Sequence, residues 1–314
     1  MSLPKTLLFA PNADSFADAI RAIAPEAEIL TAVDAESAIA QAEGIEVLVT
    51  MGAALTSDVL KAMPGLKWIQ ALSAGTDHIQ RVEGLSEDIA LTSLSGAHGP
   101  QMSELAIMMM LALPRKLRLT LENQAAHQWK RTNVTTMEGK TLCILGLGAI
   151  SEALTARALP FGLTVTGVSD GRTEMPGVSR IYPYADLAKA AAEADFLCIL
   201  SPLTERSRGI VNAEVLKALG PDGYLISMGR GPVVDEDALA AALTDGTIAG
   251  AGLDVFVTEP LPEESPFWAM ENVIVTPHIG GLSDRYPQQA APIVAGNLRA
   301  WADTGAAGLK NRVR

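Results

Sequence analysis

Short apolar stretches alternate with Ala-rich helical patterns along almost the whole chain, and this alternation leaves few architectures open. Strand-like runs fall at 7–10, 47–50 and 68–71, with helical patterns at 15–24, 35–42 and 57–62. A second series of strands follows at 141–145, 164–168, 196–200, 224–227, 249–253 and 273–275. Strands separated by helices pair in parallel and need helical cover on both faces. An α/β chain with two doubly wound parallel-sheet domains is therefore expected, and 314 residues at ~150 residues per domain suit that division.

Composition removes several function classes. The formal net charge is −12 and there is no Lys/Arg cluster, whereas a nucleic-acid or anionic-membrane partner calls for a basic face. The apolar run 105–114 is about half of the ~20 residues needed to span a bilayer. The start of the chain reads as a strand and turn rather than a signal peptide. Cys143 and Cys198 each sit inside an apolar run without C-x-x-C spacing, and His78, His98, His127 and His278 have no ligand spacing. No metal site and no disulfide are expected, and a cytoplasmic location fits best. Between the two strand series, 101–119 reads as one helix, apolar on every side from Leu105 to Leu113 and hence buried. Its Met108–Met110 run reads as core packing. A final helical pattern over 283–304 is expected to return to the first domain.

Strand 141–145 runs into Gly146-Leu147-Gly148-Ala149-Ile150-Ser151 and a helix to about Leu159. Strand, glycine turn and helix in that order read as a Rossmann-like dinucleotide site, the alternative being an ordinary βα turn. Gly146 permits the turn, and Gly148 lets a pyrophosphate approach the helix N-terminus. Ser151 stands at the third glycine position of G-x-G-x-x-G. The next strand ends in Ser169-Asp170-Gly171-Arg172. An acid there suits the ribose hydroxyl of NAD, and a basic residue suits the 2′-phosphate of NADP. Both are present, so both cofactors stay open, with Asp170 tilting the reading to NAD.

Three more segments follow strands, where ligands of open α/β sheets collect. They contain Arg230, Glu259 and His278. Alone, these would be a solvated arginine, a surface acid and a structural histidine. Beside a dinucleotide turn they supply what reduction of a 2-keto acid requires. A guanidinium binds the carboxylate and polarises the carbonyl, an imidazole moves the proton, and a carboxylate orients the imidazole and raises its basicity.

The segments EGKTLCILGLGAI, ADFLCILSPLTERSRGIVN, GYLISMGRGPVVDEDALAAAL, GAGLDVFVTEPLP and NVIVTPHIGG resemble the D-isomer-specific 2-hydroxyacid dehydrogenases, and most of all glyoxylate/hydroxypyruvate reductases. The resemblance implies Arg230, Glu259 and His278 as the catalytic triad. It implies cofactor contacts at Gly146, Gly148, Ala149, Ile150, Ser169, Asp170, Arg172, Pro202, Met228, Asp254 and Gly280, with Asp254 at the nicotinamide carboxamide. Substrate contacts fall on Ala74, Gly75, Arg230 and His278. It further implies a substrate-binding domain at 1–97 completed by 286–314, a dinucleotide-binding domain at 98–285, a closing interdomain cleft and a homodimer. Leu105 departs from the histidine that many members carry there.

The implied activity is NAD(P)-dependent reduction of a small 2-keto acid to the D-2-hydroxy acid. A dinucleotide-sensing binding protein of the C-terminal-binding-protein corepressor type is the alternative. Formate dehydrogenases of the superfamily carry Gln where Glu259 stands, which disfavours formate. His78 reads as packing or surface, His98 as a crossover residue, and His127 as part of the dimer-contact region. In a resembling dimer Trp129 would reach a neighbouring subunit. Substrate size depends on loops at 51–55, 73–77 and 283–287, with Tyr286 and Trp268 as candidates to bound the pocket.

Overall fold

The computed structural model describes residues 3–52 and 55–314, so positions 53 and 54 of the loop expected at 51–55 lie outside the described residues. The chain divides into two compact units, Met1–His98 with Ser283–Arg314, and Gly99–Leu282.

The first unit begins β1 (Thr6–Phe9), α1 (Ala13–Ile23), β2 (Ile29–Ala32), α2 (Ala35–Ala40) and β3 (Val47–Thr50). It continues through α3 (Ser57–Lys61), β4 (Trp68–Ala71), α4 (Asp77–Gln80) and β5 (Ala90–Thr92). The second unit holds α5 (Gly99–Ala112), α6 (Leu117–Ala125), β6 (Thr141–Leu145), α7 (Ala149–Ala158), β7 (Thr164–Val168) and β8 (Arg180–Tyr182). There follow α8 (Leu187–Ala192), β9 (Phe196–Ile199), α9 (Ala213–Leu219), β10 (Tyr224–Ser227), α10 (Glu236–Thr244), β11 (Gly250–Leu253) and β12 (Val273–Val275). The chain then returns to the first unit as α11 (Tyr286–Thr304).

In the first unit the strands lie in the order β2-β1-β3-β4-β5, all parallel. Side chains alternate across the sheet with the strand period of two. Leu7, Phe9, Leu48 and Ile69 pack with Ala38, Val59, Leu60 and Ile79 of α2 to α4. Leu8, Val47, Val49 and Trp68 face the other way, onto α1 and onto Tyr286, Ala290, Val294 and Leu298 of α11. Helix α1 buries Ala13, Phe16, Ala17 and Ile20, the i, i+3, i+4, i+7 stripe of an amphipathic helix.

The second unit has the parallel order β12-β11-β10-β9-β6-β7-β8. The chain winds outward from β6 in one direction and then from β9 in the other, so the switch point lies between those two strands. In such sheets ligands bind beyond the strand ends at the switch point. One face of the sheet packs against α8, α9 and α10, and the other against α5 and α7. Cys143 and Cys198 belong to opposite faces, both as free thiols. Burial pushes Cys143 up to about 11 and Cys198 up to about 12.

Two expectations need correction. The helix expected over 101–119 is α5 and α6 separated by a turn, because Pro114 has no N–H to continue the ladder and Lys116 adopts φ +52°. Nor is the first of these helices buried all round. Met102, Ala106, Met109 and Met110 are covered, while Met108 is 44% and Leu111 37% exposed.

Candidate active site

At the end of β6, Gly146 takes φ +97°, and a Cβ there would lie 2.6 Å from the backbone of Ser201. Only glycine fits, so the turn folds tightly against the chain leaving β9. Gly148 is the N-cap of α7, and a Cβ on it would meet nothing within 4 Å. The first helical residue, Ala149, is exposed. The space in front of this helix end is therefore open, which is what a pyrophosphate approaching N-terminal amides needs. Ser151 is buried, and its hydroxyl donates to Gly148 O at 2.6 Å, so the serine braces the turn from behind. Ile150 follows, partly buried, on the same first turn.

In the loop after β7, Ser169 Oγ accepts the N–H groups of Gly171 and Arg172 at 3.2 Å each. Asp170 accepts the Tyr184 N–H at 2.9 Å and pairs with Arg206, whose guanidinium lies over the Tyr184 ring. Arg172 pairs with Glu152 of α7 at 2.6 Å. Arg172 and Arg206 thus each carry a carboxylate partner. Pro202 is exposed after β9. Met228 is packed in the core at 2% exposure, with its N–H on Ile199 O. Its side chain is not laid open as a cofactor contact of that side chain would require.

Beyond β11 and β12 the site is built by carboxylates accepting backbone amides. Asp254, 1% exposed, takes the Thr276 hydroxyl at 2.6 Å, Ile279 N–H at 2.9 Å and Gly280 N–H at 2.9 Å. These partners flank His278, which adopts φ +51°. A non-glycine residue in this region costs ~1–3 kcal/mol and persists only where its surroundings dictate it. Asp254 supplies that constraint from both sides of His278. The sequence marks Asp254 only as a cofactor contact by resemblance; its hold on the histidine loop spans the gap between two strand ends and leaves no local signal.

His278 Nδ1 lies 2.7 Å from Glu259 Oε2. A carboxylate only accepts, so Nδ1 carries the hydrogen and Nε2 remains for a reacting group. The other oxygen, Oε1, accepts Phe256 N–H at 2.9 Å, which fixes the carboxylate. Val257 N–H, the next amide, donates to Glu236 Oε1 at 2.6 Å. Burial raises the Glu236 carboxyl above its ordinary range, more than the Val257 bond lowers it, and the charges of Asp237 and Glu259 add to the rise.

Arg230 follows β10, and its guanidinium donates to Gly229 O at 2.9 Å. A Cβ on Gly231 would lie 2.0 Å from the Phe256 carbonyl carbon. The backbone after Arg230 therefore presses on the loop that leads to Glu259. Arg230, Glu259 and His278 thus stand on neighbouring strand ends of one sheet, with direct contact observed for the last two.

The remaining expected residues lie elsewhere. In the first unit, Ala74 and Gly75 follow β4, with Ser73 Oγ donating to Gly75 O at 2.7 Å. His78 is exposed and bonds Met51 O at 2.8 Å. Tyr286 is a core residue there, its hydroxyl donating to Leu72 O at 2.5 Å and meeting His98 Nε2 at 2.8 Å. Trp268 is 47% exposed, with its indole on Pro262 O. His127 is exposed, and Trp129 is 92% exposed. Among the described residues no group of three or more His, Cys, Asp or Glu side chains is placed to hold a metal ion. None of the described helices is long and apolar enough to cross a membrane.

The D-isomer specific 2-hydroxyacid dehydrogenase NAD binding domain matches residues 107–280. Glyoxylate/hydroxypyruvate reductase B of Yersinia pestis (strain Pestoides F) is 36% identical over 270 residues, covering 83% of this chain and 81% of that protein. A crystal structure of a D-isomer specific 2-hydroxyacid dehydrogenase family protein from Aeromonas salmonicida superposes with a TM-score of 0.89 at 30% identity, over 99% of each chain. A D-isomer specific 2-hydroxyacid dehydrogenase from Xanthobacter autotrophicus Py2, in complex with NADPH and MES, superposes at 0.84 and 28% identity, over 100% of this chain and 98% of that one. The chain belongs to the D-isomer specific 2-hydroxyacid dehydrogenase family. It is an NAD(P)-type oxidoreductase with two parallel-sheet α/β units.

Proposed function

We propose that the protein reduces a small 2-keto acid of the glyoxylate or hydroxypyruvate class to its D-2-hydroxy acid. The observation that carries this reading is the His278–Glu259 pair at 2.7 Å, with Glu259 itself fixed by the Phe256 amide. The open helix end at Gly148 fits a dinucleotide, which when bound supplies the hydride. Arg230 takes the substrate carboxylate and polarises the carbonyl. His278 gives its Nε2 proton to the developing alkoxide while Glu259 supports the imidazolium; in the reverse direction neutral His278 takes that proton. The dinucleotide is assigned to the 99–282 unit, and NAD is favoured over NADP. A 2′-phosphate beside Asp170 would meet a carboxylate, and Arg172 and Arg206 are already paired.

We place the protein in the cytoplasm, where two buried free thiols remain reduced, and read it as a homodimer. Exposed Met108, Leu111, Leu117 and Leu121 on α5 and α6 supply apolar surface for self-association. Light scattering on the purified chain measures that state.

The activity test is a nicotinamide-absorbance screen of glyoxylate, hydroxypyruvate, pyruvate and bulkier keto acids, each with NADH and NADPH. Arg230→Ala is expected to lower kcat/KM on the best substrate by ~10²-fold or more. Wild-type kcat/KM in that variant overturns the assignment. No turnover with any keto acid, alongside measurable dinucleotide binding, moves the reading to a corepressor-type binding protein.

A further inference from the structure

The acid that opens α10 makes a contact that the chemistry of hydride transfer does not call for. Glu236 Oε1 accepts Val257 N–H at 2.6 Å, and Glu259 Oε1 accepts the preceding amide, Phe256 N–H, at 2.9 Å. Two carboxylates from different elements therefore hold consecutive amides of one loop. Helix α10 is a firm base for the first of them. Asp235 caps it through Ala238 N–H at 3.0 Å, and Leu239, Ala242 and Leu243 bury it against the sheet.

The loop needs such a hold. Phe256 is buried, but residues 257–260 are exposed, with Val257 at 53%. Between the buried Phe256 and the partly buried Leu261 these residues pack nothing into the core, so polar bonds aim Glu259 at His278. Burial and the neighbouring Asp237 and Glu259 all disfavour charge on Glu236. An acid held against that opposition is costly unless its hydrogen bond is made.

We propose that Glu236 is a positioning residue, whose carboxylate clamps the Val257 amide and thereby sets the direction in which Glu259 meets His278. The proposal rests on the reading of His278 as the proton carrier. It assigns to this chain a second acid behind the catalytic pair, acting only through the loop.

The test compares Glu236→Ala and Glu236→Gln in keto-acid reduction, with dinucleotide Kd and melting temperature measured for each. Loss of one amide bond to a carboxylate should cost ~10-fold in kcat, with KM and dinucleotide Kd near wild type. Glu236→Gln keeps an oxygen acceptor and should restore kcat. Glu236→Asp, one methylene short, should behave as Glu236→Ala and serves if the alanine variant does not fold. In a Glu259→Gln background the alanine change should cost little further, because coupled residues are not additive. Wild-type kcat in Glu236→Ala, equal loss in Glu236→Gln, or a full loss in the Glu259→Gln background overturns the clamp. His278→Ala is run alongside. If it retains activity, the reading of the site fails; if it is inactive while Glu236→Ala is unaffected, only the clamp fails.

Discussion

The turn at 146–151 and the loops at 254–280 both lie beyond strand ends of one parallel sheet, yet they are held by opposite means. The turn is shaped by what is absent. Gly146 lies flat on Ser201, Gly148 faces open space, and the bracing hydroxyl of Ser151 works from the buried side. The second region is shaped by side chains. Asp254 accepts backbone amides of the loop that carries His278, while Glu259 and Glu236 accept amides of the loop that carries Glu259. A place that binds an anion through amides must leave those amides free. A place that moves a proton needs an aimed side chain, and carboxylates that hydrogen-bond the imidazole or the backbone around it provide the aim.

The sharpest way to break this contrast is Asp254→Ala. It leaves the Thr276 hydroxyl and two loop amides without their acceptor, which should lower stability by ~3 kcal/mol. Misplacing His278 by about an ångström should cost ~10²-fold in kcat. Denaturant melts and keto-acid kinetics measure the two effects. Weaker dinucleotide binding with kcat intact would show that the histidine loop holds without Asp254.

A smaller effect separates the two glycines of the turn. Gly146→Ala forces a side chain into φ +97° against Ser201 and should destabilise the fold by ~2 kcal/mol. Gly148→Val enters open space, so stability should fall by no more than the ~1 kcal/mol of a poorer N-cap, while dinucleotide Kd weakens by ~10-fold, as expected for a side chain in the way of a pyrophosphate. Equal stability losses in both would remove the distinction between fold and ligand roles.

The mildest consequence concerns the thiols in the sheet that carries both regions. Their folded values, about 11 for Cys143 and about 12 for Cys198, lie above the unfolded value of ~8.5. Below that value both states keep the proton and nothing changes. Above it the unfolded chain ionises first and binds fewer protons, so stability falls as pH rises toward the folded values. Alkaline melts of wild type beside the double variant Cys143→Ala, Cys198→Ala should converge as that contribution disappears. Rapid iodoacetamide labelling of the folded protein near neutral pH would contradict the burial.

Strands β3, β4, β6, β7, β10 and β12 were legible residue for residue, because each is a short run dominated by β-branched, aliphatic or aromatic residues between helical patterns. Strands β2, β5 and β8 escaped notice. Each is three or four residues long with a polar residue in the run, Ile-Leu-Thr-Ala, Ala-Leu-Thr and Arg-Ile-Tyr, whereas the equally short β12 is Val-Ile-Val. The α5–α6 region misled because apolar composition does not say which side is covered. Arg230, Glu259 and His278 stood out because each follows a strand. The roles of Asp254 and Glu236 did not, since each carboxylate holds amides some twenty or more residues further along the chain.

Helix α11 lies on α1, and Arg299 bonds Glu26 and Ile23 O, although the whole second unit intervenes in sequence. During translation this has a price in time. Residues 99–282 can leave the ribosome and fold while the Leu8, Val47, Val49 and Trp68 side of the first sheet still lacks Ala290, Val294 and Leu298. The nascent chain therefore carries an uncovered apolar wall through most of its synthesis. During that interval chaperone capture or aggregation competes with maturation.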